Sequence, residues 1–598
     1  MLKLISILPK RVKFEFIFGG FLIFLTSIIS FFIPNMISQF IKLIFDDQKQ
    51  KITIEVVKGW ILFNEADRDY VRNWLIGIIL IQCLVVGLLS FITTFMYVRA
   101  GERASYFYRV KLFEKINNLS LKNISDLKPE SIMTKISNDV AVFWDFLVSG
   151  LRTMLKGFLM IIGGAIMSFF VNWILALIIL LVVPLLFLIL FAIGKISSPK
   201  IKKVQQQIEE VTKEIDENIK GASTIKTYNL EQKRLDKFNT TNAAWLKYNV
   251  SFNTTVSVLY PIFFAVMNFV QIGILFWARN EVITKNATVN TLVQVNIFID
   301  YLWIIGFGIL LITMFLRFAF SARVSATRIV EILSTNADAL FVEKGLKIIE
   351  DSKNIEYDIN IENLNFKYYK DNPNYSLKNI NLTIPYKTTL GIIGLFASGK
   401  STLVSLLLNN YLYDEGSIKI ANQEVNQINT EQLLKTVGIV YQDPMLFSGT
   451  IRSNMQWAKP NASDEEINEA LKNACAYDFV YKFDDNLDHP ITQGATNLSG
   501  GQKQRLSIAR TLLRKPKILI LDDSTSALDN ITTKKVIENI TNNYECTTIL
   551  ISQKIGALKK CEQIIVMESG QIIAQGTHEE LIKNCEFYSQ IHASQLEA

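Results

Sequence analysis

Apolar positions follow two regimes that meet near residue 335. Before it, long apolar runs recur; after it, short strand-like runs alternate with stretches of helical period. The long runs predict six membrane-spanning helices, over about 15–45, 73–98, 140–171, 173–195, 250–278 and 291–318. The first contains Pro34, a predicted kink. No charge interrupts the 38 positions from Gly157 to Gly194. One helix of that length would reach roughly 57 Å, against a hydrocarbon core of about 30 Å. The run must fold back, and Val171, Asn172 and Trp173 form the natural hairpin, with Trp173 at an interface.

Charge sets the expected orientation. The segment between spans two and three carries eight Lys and Arg residues from Arg99 to Lys135, and that between spans four and five carries eleven from Lys195 to Lys247. The hairpin at Asn172 carries none. The positive-inside rule places both termini, both basic segments and the second half of the chain in the cytoplasm, with the cell membrane as the expected location. The basic segments keep an amphipathic helical period, so they read as spans extended into the cytoplasm that reverse near 125–133 and 229–235. The first outer loop, 46–72, is long and mixed in charge and carries no functional reading. Asp300, about ten residues into the sixth span, is the charge placed inside the membrane. It reads as a cation-preferring contact in a translocation pathway, or as a solvated or helix-fixing polar residue near the outer mouth.

Composition adds limits. A chain of 598 residues exceeds a single core, and a hydrophobic share of 50% with mean hydropathy +0.25 fits a membrane half before a polar half. The expected domains are 1–335 in the membrane, 336–357 as a linker and 358–598 as an α/β domain. The net charge of +7 follows from the basic cytoplasmic segments and does not imply nucleic acid. Cys83, Cys475, Cys546, Cys561 and Cys585 lack disulfide or metal spacing and read as reduced thiols. Lys3, Lys10, Arg11 and Lys13 precede the first apolar run as in a signal peptide, but that run is too long and lacks a cleavage site.

The chemistry lies in the second half. A strand-like run ending at Gly394 continues through Leu395, Phe396, Ala397, Ser398, Gly399, Lys400, Ser401 and Thr402, which is G-x-x-x-x-G-K-[ST] between strand and helix. Its backbone N–H groups would cradle phosphate, Lys400 would meet the β- and γ-phosphates, and Ser401 would hold Mg²⁺. The apolar run 518–521 ends in Asp522 and Asp523, and Asp522 is the natural Mg²⁺ partner. Leu498, Ser499, Gly500, Gly501 and Gln502 spell LSGGQ at the start of a helical period, where bare backbone and the helix dipole favour an anion.

In this order and spacing the chain resembles the ABC transporters, specifically half-size exporters with six spans fused to one nucleotide-binding domain. The resemblance covers nearly the whole chain. It implies an α-helical polytopic membrane domain, a P-loop NTPase domain with a helical subdomain, and ATP and Mg²⁺ as ligands. Tyr368 matches the residue that stacks on adenine, and Gln442 the Q-loop glutamine that touches Mg²⁺. Ser526 to Asp529 match the D-loop. The segments 103–140 and 221–228 look like the two intracellular loops. In that family two nucleotide domains pair head to tail, each P-loop facing the other chain's LSGGQ.

Two departures alter the picture. The family usually has glutamate after the Mg²⁺ aspartate; here Asp523 keeps the charge but is one methylene shorter, a reach deficit of about 1 Å that can cost on the order of 10²-fold. Its switch histidine is replaced by Gln553, which cannot share a proton as imidazole can. Ala397 also stands where glycine is frequent. The resemblance then points to the degenerate-site subunit of a heterodimeric, multidrug-type exporter, whose LSGGQ completes the partner's site. The alternatives are a slow homodimer working through Asp523, or an ATP-gated channel or regulatory subunit. The transported substrate, whether drug, lipid or peptide, is not legible, although no peptidase domain precedes the first span.

Overall fold

The computed structural model describes residues 1–45, 51–57, 60–285, 289–335, 340, 342–343, 345–348, 355–369, 373–413 and 415–596. Two compact units result, one of residues 1–114 with 130–334 and the other of 115–129 with 335–598.

Among the described residues, six helices are long and apolar enough to cross a membrane: Lys10–Phe40, Arg68–Asn117, Ser131–Val171, Trp173–Lys220, Glu231–Glu281 and Thr291–Ser334. The first ends at Phe40, short of the expected 45, each of the others contains an expected span, and four of them run well past one end of it. The hairpin falls at Asn172 because its extended backbone (φ −158°) ends one helix while its Oδ1 accepts from Ile174 N (3.0 Å) and Leu175 N (3.3 Å) to cap the next. Spans three and six pack through glycines: a Cβ on Gly157 would lie 2.9 Å from the Gly308 carbonyl oxygen, so only bare backbone permits this approach.

The reversals overlap those expected and begin somewhat earlier. Short helices Leu121–Leu127 and Ala222–Thr227 form the tips, a few residues early in each case. Ser120 Oγ accepts from Asn123 N at 3.1 Å, and Pro129 opens the next helix; Gly221 ends the second long helix. Asn229 then takes a left-handed φ of 53° before Glu231. Between the first two spans, residues 51–57 and 60–67 form an antiparallel hairpin, and buried Ile52 and Ile54 pack against Met36, Leu43, Val71 and Leu75. Asp300 is half-buried beside Tyr301, whose hydroxyl donates to the Phe31 carbonyl at 2.6 Å. Asp300 is not alone as a charge within the spans, since Arg152 and Lys156 lie one turn apart in span three. The segment between spans two and three continues into span three through a wide π turn, Lys135–Asp139. Both ends of that turn are buried, Lys135 on Glu331 (2.9 Å) and Asp139 on Ser325 Oγ (2.8 Å).

The second unit is α/β. Its main sheet runs Gln571–Gly576, Gln563–Glu568, Thr389–Gly394, Thr547–Ile551, Ile518–Asp522 and Val437–Val440, parallel except for the first edge strand. A smaller antiparallel sheet contains Leu377–Ile384, Ile359–Phe366, Glu415–Ile420 and Gln423–Glu424. Within 336–357, Leu346 and Ile348 bond to Gln427 and Gln432, and Ile348 is buried in the core of this unit.

Candidate nucleotide site

In open α/β sheets, ligands collect beyond the carboxyl ends of parallel strands. Thr389–Gly394, Thr547–Ile551 and Ile518–Asp522 are neighbours here, so three distant stretches of sequence end side by side. The first enters the glycine loop, the second leads to Gln553, and the third delivers Asp522 and Asp523. They enclose a cavity of about 850 Å³ lined by Tyr368, residues 396–402, Gln442, Asp522, Asp523 and Gln553. All but two of the residues expected to serve this chain's own nucleotide therefore line one cavity. The exceptions, Gly394 and Leu395, lead into the loop, with the Leu395 side chain exposed.

The loop depends on missing side chains. A Cβ on Gly394 would lie 2.2 Å from the Met567 carbonyl oxygen, and Gly399 opens helix Lys400–Leu407 at φ 100°. Ala397 holds φ 63°, a left-handed backbone that costs an L-residue about 1–2 kcal/mol and glycine almost nothing. Lys400 Nζ donates to the carbonyls of Gly394 (2.9 Å) and Leu395 (2.7 Å) and to Ser398 Oγ (3.1 Å). Burial lowers its pKa, and Asp523 and Asp522 pull it back up.

The two carboxyls are both pushed above the usual carboxylate range, chiefly by burial. Asp523 adds to the rise at Asp522, while a hydrogen bond from Ser401 and the Lys400 charge oppose it. Lys400 and Lys554 oppose the rise at Asp523. Ser401, Asp522 and the Gln442 side-chain oxygen are hard-oxygen donors of the type Mg²⁺ prefers, and the Ser401–Asp522 contact brings two of them together. Gln442 Nε2 also donates to Asp523 at 3.3 Å. Asp523 sits at φ 47°, and its N–H donates to the Ile551 carbonyl at 3.1 Å, which pins the backbone behind its carboxylate.

The Tyr368 ring is fixed by its neighbours. Its hydroxyl bonds Thr402 Oγ1 at 3.0 Å, and its ring meets Phe366 and Tyr411 edge-on, both at 5.0 Å. None of the three histidines lines the cavity: His489 stacks on Phe483, and His578 packs against Tyr588 and His592.

Ser499, Gly500, Gly501 and Gln502 lie outside the cavity. They open helix Gly500–Leu512 with a reciprocal cap, Ser499 N donating to Gln502 Oε1 (2.8 Å) and Gln502 N to Ser499 Oγ (3.3 Å). Three sets of side-chain contacts beside the cavity are not legible in the sequence. Buried Gln504 bridges the Gln442 carbonyl (3.4 Å), Ser526 Oγ (3.3 Å) and Ala527 N (3.1 Å). Lys554 Nζ donates to the carbonyls of Ser526 (3.3 Å) and Leu528 (3.4 Å). Gln595, on the last helix, brackets the segment after strand Thr547–Ile551, donating to the Gln553 carbonyl (2.6 Å) and accepting from Ile555 N (2.8 Å). A polar residue on the inward face of the helix after LSGGQ was the available signal for Gln504; Gln595 had none.

Residues 16–305 match the family model for the ABC transporter transmembrane region, and residues 377–526 the model for the ABC transporter. The uncharacterized ABC transporter ATP-binding protein YfiB of Bacillus subtilis is 34% identical, over 88% of this chain and 90% of its own length. YknU, another from that organism, is 28% identical over 85% of both chains. The fold is shared with a bacterial Atm1-family ABC exporter with ATP bound, at TM-score 0.78 and 20% identity, covering 98% of this chain and 99% of that one.

Proposed function

The chain belongs to the ABC transporters, and on that premise we propose that this integral membrane ATPase is one subunit of a dimeric exporter whose own ATP site binds nucleotide but turns it over slowly. The observation that carries this reading is the pairing of a full set of binding residues with altered catalytic ones. Tyr368, Lys400, Ser401, Gln442 and Asp522 share a cavity with Asp523 and Gln553, and with no histidine. Tyr368 would take the adenine and Lys400 the phosphates, while Ser401, Gln442 and Asp522 would hold Mg²⁺. When bound, Mg²⁺ neutralises charge between the β- and γ-phosphates. Asp523 is the remaining group to orient water, from a pinned backbone and with a short side chain.

The intact LSGGQ serves the partner's nucleotide. Its position outside this cavity supports that division. A heterodimer in the cell membrane follows as the favoured assembly, with the nucleotide domains and both termini in the cytoplasm. The cargo is hydrophobic or amphipathic, with Asp300 a candidate contact on its path. Because Asp523 retains a carboxylate in hydrogen-bond reach of Gln442, a slow homodimer is the second reading. Native mass spectrometry of the complex taken from its host membrane separates them. Two chain types are expected; one chain type with strong substrate-stimulated ATPase would overturn the heterodimer.

A further inference from the structure

The membrane unit contains a second cavity, of about 400 Å³, within the range of small-molecule sites. It is formed by spans one, two, three and six of a single chain. Arg152 and Lys156, one turn apart on span three, both line it, and no carboxylate does. Arg152 Nη1 donates to Thr94 Oγ1 at 2.8 Å, which occupies one of the five guanidinium N–H donors. Neither cation has an acidic partner among the described residues. Like charges at this spacing repel, and ionised groups within spans are costly unless something compensates them. An anion in the cavity would remove both penalties.

Depth and polarity define the rest of the ligand. Asn172 closes the outer end of span three in the orientation proposed above. Arg152 lies about 20 residues before it, roughly 30 Å away at ~1.5 Å per residue, which is the inner boundary of the core. Lys156 lies one turn deeper, and Met160 one turn deeper again. Phe31, Met160, Ile304 and Leu311 give the cavity apolar wall. Thr26, Ser27, Ser30, Thr93 and Thr153 donate their hydroxyl hydrogens to their own helices, so they offer oxygen lone pairs. Those lone pairs suit O–H or N–H groups on a ligand.

We propose that this cavity binds an anionic amphipath at the level of the inner leaflet: Arg152 and Lys156 take a phosphate or carboxylate headgroup, the hydroxyl oxygens take its hydroxyl or amine donors, and the apolar wall takes the start of its chain. The proposal rests on the export reading only for which membrane face is inner and for naming this ligand as cargo. The same chemistry could come from a bilayer phospholipid or from a dispersed amphipath.

The test uses the intact complex purified in a neutral detergent. Dodecyl phosphate should bind, dodecanol and inorganic phosphate should not displace it, and Arg152→Gln/Lys156→Gln should weaken it by roughly 10- to 100-fold, as loss of charge-assisted bonds implies. ATP binding at the nucleotide site should not change. In a second arm, complexes from vesicles of phosphatidylcholine with phosphatidylglycerol should retain the anionic lipid in native mass spectrometry, and the variant should lose it. Retention in this arm identifies a bilayer source; dodecyl phosphate binding without retention identifies a dispersed one. If the double variant does not fold, the comparison of dodecyl phosphate with dodecanol on the unaltered chain decides. Equal binding of charged and neutral amphipaths, or equal binding by variant and unaltered chain, overturns the proposal. Absence of ATP-driven uptake into inverted vesicles with dodecyl phosphate binding retained would refute export and support the site.

Discussion

If a short carboxylate slows this chain's own site, as proposed, lengthening that side chain should restore part of the rate. Asp523 cannot advance toward the phosphate end of the cavity, because its N–H is bonded to the Ile551 carbonyl at 3.1 Å and its backbone is held at φ 47°. With the backbone held there, the carboxylate reaches one methylene, ~1 Å, less far than a glutamate would. A misplacement of that size is worth on the order of 10²-fold in rate. Asp523→Glu should recover part of that, since Gln553 still lacks an imidazole; a rise of roughly 10-fold is expected. Glutamate tolerates a left-handed backbone less well than aspartate, so a stability loss of under about 1 kcal/mol should accompany it. The assay is ATP hydrolysis by the complex with the partner's own catalytic carboxylate neutralised, so that only this chain's site is read. A variant that binds ATP normally but hydrolyses it no faster than the unaltered chain would refute the reach argument.

Other outcomes follow from the same geometry. Ala397→Gly should relieve the left-handed backbone and, after the entropy cost of glycine, raise the stability of the ligand-free chain by about 0.5–1 kcal/mol in thermal unfolding, with tighter ATP binding. Gln595→Ala removes both bonds to the segment after strand Thr547–Ile551, so hydrogen exchange at residues 553–556 should quicken by roughly tenfold while exchange in strand Ile518–Asp522 stays unchanged. Burial raises the Asp523 carboxyl, so the folded chain holds its proton to higher pH than the unfolded chain. Its ionised form therefore destabilises the fold above the raised value. Asp523→Asn should stabilise the ligand-free chain at neutral pH, and the gain should fade as pH falls through the raised value to the ordinary carboxylate range.

The parts legible in the sequence were those written in contiguous letters. An uncharged run too long for one span forces a hairpin, and Asn172 supplies the cap that places it. The P-loop from Gly394 to Thr402 and the Asp522–Asp523 strand end each fit in a few residues. The parallel sheet then brings them together with Gln553. Contacts between remote polar side chains were not legible. Gln504 meets Gln442 and Ser526, and Gln595 meets Gln553, across separations that no local period reports. The hairpin between the first two spans was missed because its buried alternation rests on Ile52 and Ile54, too short a pattern to stand out from a polar loop. Arg152 and Lys156 lie inside the expected span 140–171, but nothing in the local sequence marks them as a site; only the packing of four spans places them on one cavity.

The central claim is that this chain's P-loop holds ATP through cycles in which the partner site hydrolyses it. Its most direct test is to photocrosslink radiolabelled azido-ATP to the complex during steady turnover, separate the chains and identify the nucleotide on each. The account predicts triphosphate on this chain, persisting through many turnovers. Diphosphate accumulating on this chain as fast as on its partner would contradict it.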